Sequence, residues 1–257
     1  MRLPHNATTL FSLMGIFHYT ACFGAPPFAL PATILSALLL FAAGPPAMAM
    51  DLDVRSAPSN VLDFSLLIEH SVTELERDSN KVDANVERIG ILTIDVPRDG
   101  PRFGLALGYA FSDFDNNDLY LPISMDGYYL GVSVQGLIVE TSTWSVTARA
   151  EYIFQDVDGS DMDNNTASLS WHEYSVGVSL RFALSSALRI VVEPVYTDIN
   201  GTYRERGVSS QTVKLDSSKG SGLHAELQYW LNDRESISVQ YRNAALQGFA
   251  LRFRRFF

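Results

Sequence analysis

The last nine residues of the sequence alternate apolar side chains with small or basic ones, and the apolar residues fall at positions 249, 251, 253 and 257. A period of two is typical of a β-strand with one apolar face. The same alternation recurs upstream, for example at 143–155 and 168–183. No apolar run in the body of the chain approaches the roughly 20 residues that a membrane-spanning helix needs. The sequence therefore predicts an all-β fold.

The connections between the predicted strands sort by length. We predict ten strands, at 61–71, 86–97, 102–111, 127–139, 143–155, 168–183, 187–197, 220–231, 235–243 and 247–257. Short connections at 97–101, 140–142, 184–186 and 232–234 alternate with long polar ones at 72–85, 112–126, 156–167 and 198–219. Only the last connection on the long side, 244–246, is short. This alternation indicates a transmembrane antiparallel β-barrel with external loops and periplasmic turns, and a soluble sandwich does not require it.

Aromatic residues on the apolar faces fall into two groups when odd-numbered strands run outward. The external group is Phe111, Tyr128, Phe154, Tyr174, Tyr196, Tyr241 and Phe249. The periplasmic group is Phe103, Trp144, Phe182 and Phe257. Two aromatic girdles that flank an aliphatic band are what the two interfaces of a bilayer select.

Residues 61–257 resemble the small outer-membrane β-barrel proteins of Gram-negative bacteria, by strand pattern and by the terminal aromatic residue. The resemblance implies that Phe253 and Phe257 belong to a signal that the outer-membrane assembly machinery reads. Arg255 departs from the pattern, which usually has an apolar or aromatic residue there. The resemblance also implies outer-membrane lipid and lipopolysaccharide as surroundings.

The first 49 residues indicate export. Phe28 to Ala43 is apolar, Gly44-Pro45-Pro46 interrupts it, and Ala47-Met48-Ala49 is a small-x-small site. This pattern predicts a signal peptide over 1–49, cleaved after Ala49. A short periplasmic lead over 50–60 and the barrel over 61–257 follow.

The charge balance bears on partners. The part after residue 49 contains all 29 acidic residues and all but one of the 19 basic residues. This acidic balance argues against nucleic acid as a partner, because phosphate binding needs clustered Lys and Arg.

Charged residues on the polar faces are predicted to line the lumen. They are Arg149, Glu151, Glu173, Arg181, Arg189, Glu193, Glu226 and Arg242. Both signs are present, and about ten strands leave a barrel near the size that side chains fill. We therefore favour an interior of paired, hydrated side chains, with a narrow, porin-like path as the alternative. The expected role is structural, surface-interacting or narrow-pore.

No phosphate-binding glycine loop, zinc-spaced ligand set or nucleophile elbow is present in the sequence, so we expect no catalytic activity and no cofactor. An outer-leaflet enzyme is the alternative class. Glu69, His70, Asp113, His172 and Glu173 could form a rim like that of the omptin proteases. The lipid-modifying deacylases carry His-x-Ser-Asn near the C-terminus, whereas the closest stretch here, 240–244, has Gln and Arg in place of His and Ser.

One polar connection is rich in carboxylates. Asp156, Asp158, Asp161 and Asp163 fall within eight residues. Oxygen-rich loops suit calcium, and the sequence thus predicts a divalent-cation site there. A solvated acidic loop without bound metal is the alternative reading.

Overall fold

The computed structural model describes residues 61–77, 80–96, 100–114, 123–207, 210–217 and 220–257. The predicted signal peptide and the predicted lead at 50–60 lie outside the described residues. No helix within these ranges is long and apolar enough to cross a membrane.

The described residues form eleven strands and no helix. The strands are β1 (Val61–Arg77), β2 (Asn80–Val96), β3 (Arg102–Phe114), β4 (Met125–Glu140), β5 (Trp144–Ser160), β6 (Thr166–Ala183), β7 (Leu188–Arg206), β8 (Gln211–Ser217), β9 (Ser221–Asn232), β10 (Glu235–Asn243) and β11 (Leu246–Phe256).

Ten of these strands close into an antiparallel barrel in the order β1 to β7, then β9, β10 and β11. The last strand returns to the first, with pairs from Asp63 and Phe256 to Thr73 and Leu246. Closure leaves no free sheet edge, so each backbone polar group of the wall has a neighbour on both sides. The predicted ten-stranded barrel is confirmed.

Strand β8 lies outside this ring of ten and narrows the barrel at one end. β9 pairs with β7 only up to Tyr196 and Ser221. Beyond that level β8 pairs with β7, from Asn200 to Glu205, and its end pairs with β1 at Leu75. We call the ten-stranded part the belt. We call the eight-stranded part, built from β1 to β8 beyond the level of Tyr196, the extension.

The extension corrects three predicted loops. The connections expected at 72–85, 156–167 and 198–219 are largely strand, because β1 and β2, β5 and β6, and β7 and β8 continue through them. Apolar and polar residues still alternate along these segments. The apolar residues, however, point inward here, whereas in the belt they point outward. β6 shows the change within one strand. Outward residues are Thr166, Ser168 and Ser170 in the extension and Tyr174, Val176, Val178, Leu180 and Phe182 in the belt.

A pair of glycines lets a large ring lie against the inner wall. Gly90 on β2 faces Gly108 on β3, and a Cβ on either would overlap the ring of Tyr129, which comes from β4. The ring is buried and covers backbone that lacks side chains of its own, as aromatic residues do over glycines in designed barrels. Tyr129 therefore occupies the interior near the boundary between belt and extension.

Candidate functional site: the barrel interior

The interior of the extension is an apolar core. Its members are buried and form one cluster with the adjacent hairpin end: Leu75, Val82, Ala84, Val86, Ala106, Ala110, Phe114, Ile123, Met125, Tyr129, Ile153, Val157, Ala167, Leu169, Trp171, Ile199, Tyr203, Val213, Leu215, Ala245 and Leu246. Phe114 on β3 contacts Tyr203 on β7 edge to face, with ring centroids 5.2 Å apart. Three strands separate β3 from β7 on either side of the eight-stranded ring, so this contact crosses the interior. An eight-stranded barrel is narrow enough for side chains to fill.

Arg88 marks the inner boundary of the apolar core. Its guanidinium, on β2, donates from Nε to Gln155 Oε1 at 2.9 Å and from Nη2 to Glu173 Oε2 at 3.0 Å. It also lies 5.8 Å from the ring of Trp171 and 5.7 Å from that of Tyr129. The side chain is 1% exposed. One arginine thus connects β2 to β4, β5 and β6 across the barrel.

On the belt side of Arg88, the interior contains a network of positively and negatively charged side chains. Arg242 Nη1 lies 3.3 Å from Glu69 Oε1. Arg149 contacts Glu151 at 3.1 Å and Glu193 at 3.0 Å. These side chains are mostly buried, and charges removed from water need such partners. The network holds β1, β5, β7 and β10 together through the lumen.

Nearer the short turns, arginines outnumber carboxylates. Arg254 Nε lies 3.2 Å from Asp63 Oδ2, and Arg252 Nη2 donates to Ser65 Oγ at 2.9 Å. Arg189 lies over the ring of Trp230, 4.6 Å from its centroid. Arg181 also turns inward here. This end of the lumen is therefore basic.

A cavity of about 90 Å³ runs along the lumen between these charged groups. Its lining reaches from Arg88 and Tyr129 to Arg181, Arg252 and Arg254. The apolar core lies beyond it on the side of the extension. The described residues leave room for solvent inside the belt, whereas the side chains of the extension fill its interior.

All eight residues predicted to line the lumen lie on the inner face of the barrel wall. Arg149, Glu151, Glu173, Glu193 and Arg242 join the mixed network around the cavity. Arg181 and Glu226 line its other end, and Arg189 lies beside Trp230. Sequence reasoning missed Arg88, although its position in the alternation of β2, two residues after Val86, places it on the inner face.

The predicted girdle residues lie on the outer face. Phe111, Tyr128, Trp144, Tyr174, Phe182 and Tyr196 are exposed, and Phe154 is half-buried. Adjacent rings touch along one level, since Tyr128 lies 6.4 Å from Phe154 and Tyr152 lies 5.1 Å from Tyr174.

The closing strand shows why Arg255 is tolerated on the outer face. Phe253 and Phe257 point outward and are exposed. Arg255 lies between them, 3.2 Å from Glu235 and 5.1 Å from the ring centroid of Phe257. Phe256 points inward instead and stacks on Trp230 at 5.5 Å.

The four aspartates predicted to bind a cation are not brought together. Asp156 and Asp158 lie on the outer face of β5, and Asp163 is exposed in the following turn. Asp161 Oδ1 accepts hydrogen bonds from the backbone N–H groups of Asp163 and Asn165, each at 2.9 Å. No group of three or more His, Cys, Asp or Glu side chains in the described ranges is arranged to hold a metal ion. This geometry does not support the cation site, because Asp156 and Asp158 lie on the outer face of the strand, Asp161 is bonded to the backbone of the turn, and Asp163 is exposed there.

The five residues considered for a protease-like rim are also separated by the wall. Glu69 and Glu173 lie inside the barrel in the charged network. His172 contacts the hydroxyl of Tyr152 on the outside, 2.7 Å away, and His70 pairs with Glu87 at 3.3 Å. Asp113 accepts from the side chain of Asn85. Glu69 and Glu173 therefore face the lumen, whereas Asp113 and the two histidines lie on the outer face.

The architecture and the interior define a closed, ten-stranded antiparallel barrel of the transmembrane type. No family model matches the sequence, and no curated protein matches it. Among solved structures, the chain is similar to an outer membrane channel from Pseudomonas putida F1. That pair is 12% identical, with 81% of this chain and 100% of that chain covered and a TM-score of 0.45.

Two further barrels are similar at the same level. The translocator domain of the autotransporter NalP from Neisseria meningitidis is 10% identical, with 89% of this chain and 94% of that one covered and a TM-score of 0.48. Ail, the attachment invasion locus protein of Yersinia pestis, is 12% identical, with 77% and 96% covered and a TM-score of 0.33. At these values the likenesses carry no conclusion about activity.

Proposed function

We propose that the protein is an integral outer-membrane barrel with a closed lumen, which acts at the cell surface through its extension and neither conducts solutes nor catalyses a reaction. The apolar core of the extension carries this proposal. Trp171, Tyr203 and Phe114 fill the cross-section there, and an interior of this kind offers no hydrated path to an ion.

The outer face of the belt supports the location in a membrane. From Trp144 to Phe154 on β5 is ten residue steps, about 33 Å at about 3.3 Å per residue. With a strand tilt of about 40°, this length rises about 25 Å, the height of the apolar band of outer-membrane barrels. Phe103 is 60% exposed and Val176 is 54% exposed. A soluble protein rarely leaves so large an apolar surface in water.

The outer face of the extension supports a surface role. β8 presents Thr212, Lys214 and Asp216 outward, and β6 presents Thr166 there. Polar outer residues and an apolar interior suit water on the outside. The proposed orientation places the extension outside the cell and the short turns in the periplasm, with lipopolysaccharide around the outer girdle and the assembly machinery acting on Phe253 and Phe257.

Orientation is tested with single cysteines, because the sequence has its one cysteine within the predicted signal peptide. Lys214→Cys places a thiol on the extension and Ser142→Cys places one in a short turn, both at exposed positions. A membrane-impermeant maleimide should label the first variant in intact cells and the second only after lysis. Labelling of Ser142→Cys alone in intact cells would reverse the proposed topology.

Closure is tested by recording from the refolded protein in planar bilayers. Heat-modifiable mobility on gels first verifies that the barrel is folded. We expect no steady, stepwise currents. Reproducible single-channel steps would contradict the proposal and favour the second candidate, a narrow pore, which the polar cavity inside the belt supports.

A further inference from the structure

We propose that the basic end of the lumen binds a small dianionic oxyanion of the phosphate or sulfate class. The site consists of Arg181 on β6 and Arg252 and Arg254 on β11, which line the short-turn end of the cavity, with Arg189 on β7 within electrostatic range of Arg181. This inference does not rest on the closure of the extension.

Charge imbalance is the first observation. Arg254 lies close enough to act electrostatically on Arg181, Arg189 and Arg252, and Arg102 acts on Arg181. The side-chain carboxylates that act on this group are Asp63, Glu140 and Glu226. Among the described residues, the four arginines of the site thus have two buried carboxylates beside them, Asp63 and Glu226, since Glu140 is exposed. Like charges held together away from water destabilise the fold unless something of opposite sign lies between them.

Unused donors are the second observation. The Nε groups of Arg189 and Arg252 are buried without a hydrogen-bond partner among the described residues, and these residues are 7% and 8% exposed. The Nε of Arg181 is also buried and unpartnered. Buried donors are satisfied in the great majority of native structures. Their concentration at one place points to an acceptor beyond the described side chains, and a bound anion would supply it.

Shape and access agree with a small ligand. Arg181, Arg252 and Arg254 line the cavity of about 90 Å³, together with the polar side chains of Thr147, Ser179 and Gln135. A single water needs only about 10–15 Å³ of such space, so the cavity has room for an oxyanion with solvent. Arg254 remains 12% exposed, so solvent reaches this part of the site. Arginine binds phosphate through paired N–H donors.

The net charge of the site and its unpartnered donors favour a dianion over chloride. Glu226 lies within this basic group and acts electrostatically with Arg252 and Arg254. Glu226 offsets one of the positive charges, and the group of arginines remains net positive, which attracts a dianion more strongly than a monoanion. Chloride, with one charge and no directed acceptors, satisfies fewer of the unpartnered donors than a phosphate oxyanion does.

The test uses the refolded barrel titrated with inorganic phosphate at ionic strength matched with sodium chloride. Isothermal titration gives the affinity, and thermal unfolding gives the stabilisation that ligand binding to the folded state produces. Arg181→Gln removes an arginine whose Nε makes no internal hydrogen bond. Arg255→Gln is the matched control, since Arg255 lies at the same end of the barrel but on the outer face.

We expect phosphate to bind the protein and the Arg255→Gln control alike, and the Arg181→Gln variant at least tenfold more weakly. Without phosphate, Arg181→Gln should unfold at the same temperature as the wild type or higher, because it relieves repulsion. A second variant, Arg189→Gln, should also weaken phosphate binding, which keeps the test valid if Arg181→Gln folds poorly.

Two outcomes would overturn the site. One is the absence of any phosphate-specific heat or thermal shift in the wild type. The other is an equal response in Arg181→Gln and Arg255→Gln, which would reduce the effect to general salt stabilisation. Glycerol 3-phosphate, run in parallel, separates free phosphate from phosphate esters. Binding of either supports the site, and their ratio identifies the form that fits.

Discussion

The belt and the extension are made from the same strands but have opposite polarity. In the belt, β6 presents Val176 and Val178 outward and Glu173 inward. In the extension, the same strand presents Ser168 and Ser170 outward and Leu169 and Trp171 inward. The direction of each side chain follows only from the pleat, which is continuous. The change of polarity fits the proposed change of surroundings, from lipid outside the belt to water outside the extension.

This contrast predicts that one substitution has different effects in the two parts. The largest effect is expected for a charge placed in the apolar core. Leu169→Glu introduces a carboxyl where the native side chain is 1% exposed, and no cation in the cluster faces it. We expect a loss of at least about 4 kcal/mol in the free energy of unfolding. Urea unfolding of the refolded protein measures it.

Ser168→Glu, one residue away on the outer face, is the control for Leu169→Glu and should change stability by less than about 0.5 kcal/mol. Equal losses in the two variants would mean that the extension has no defined inside, and the contrast between the two parts would fail.

The boundary between the two parts depends on Arg88. Arg88→Met removes the partner of Glu173 and leaves that carboxylate buried, which we expect to cost about 3–5 kcal/mol. Adding Glu173→Gln should recover part of the loss, since the unpaired charge is then gone. Chemical denaturation of the single and double variants measures the coupling. Arg255→Met, which breaks an exposed ion pair, should cost about 1 kcal/mol or less.

A lysine on the outer face distinguishes the two solvents directly. Val178 lies midway between the girdle residues Tyr174 and Phe182 on β6. Val178→Lys should destabilise the barrel by about 2–4 kcal/mol in lipid vesicles. Ser170→Lys, on the same face of the same strand, should be nearly neutral. If both variants behave alike in lipid, Ser170 also lies in the bilayer and the boundary is misplaced.

The smallest effect is local and lies at the tip of the extension. Hydrogen bonds from the Asn165 side chain and from backbone N–H groups hold the pKa of Asp161 below its ordinary value of 3.8. A lowered folded-state pKa stabilises the turn above the ordinary value, and this stabilisation is lost as the pH falls through the folded value. The protection factors of the amides of Asp163 and Asn165, after correction for the pH dependence of intrinsic exchange, should therefore fall as the pH drops below about 3.8.

Asp161→Ala should lower the protection of the same two amides at neutral pH, with the global unfolding midpoint unchanged. Asp163→Ala is the control, because the Asp163 side chain is exposed in that turn. Unchanged protection in Asp161→Ala would remove the carboxylate from any role in the turn.

The sequence predicted the belt well because, along a strand, alternate residues point to opposite faces, so position in the alternation is enough to assign each residue to the inside or the outside. Parity placed Arg149, Glu193 and Arg242 inside and Tyr128 and Phe182 outside. The same parity continues through the segments expected to be loops, where for example Val82 and Ala84 alternate with polar residues. The sequence predicts loops there because these segments are long and polar, with many residues of the kinds that usually mark turns.

The interior could not be predicted from the sequence at the level of contacts. Parity places Arg88 and Glu173 on the inner face, but their contact depends on the curvature and stagger of the closed wall. Strand β8 was missed for a similar reason. It can pair with β7 and β1 only because the pairing of β9 with β7 stops at Ser221. The residues of 211–217 themselves do not indicate where that pairing stops.

The change from ten strands to eight resembles a dislocation in a crystal, where three rows end, one new row begins, and the order on either side is intact. In a dislocation the irregular packing is confined to the place where the rows end. Here that place is the end of the β10–β11 hairpin. Ala244 and Ala245 are 3% and 2% exposed, and a Cβ on Gly222 would collide with Asn243 and Ala244. Hairpin tips usually accept insertions because they are exposed. This tip is enclosed, so added residues would have to separate β8 from β7 or β1 to find room.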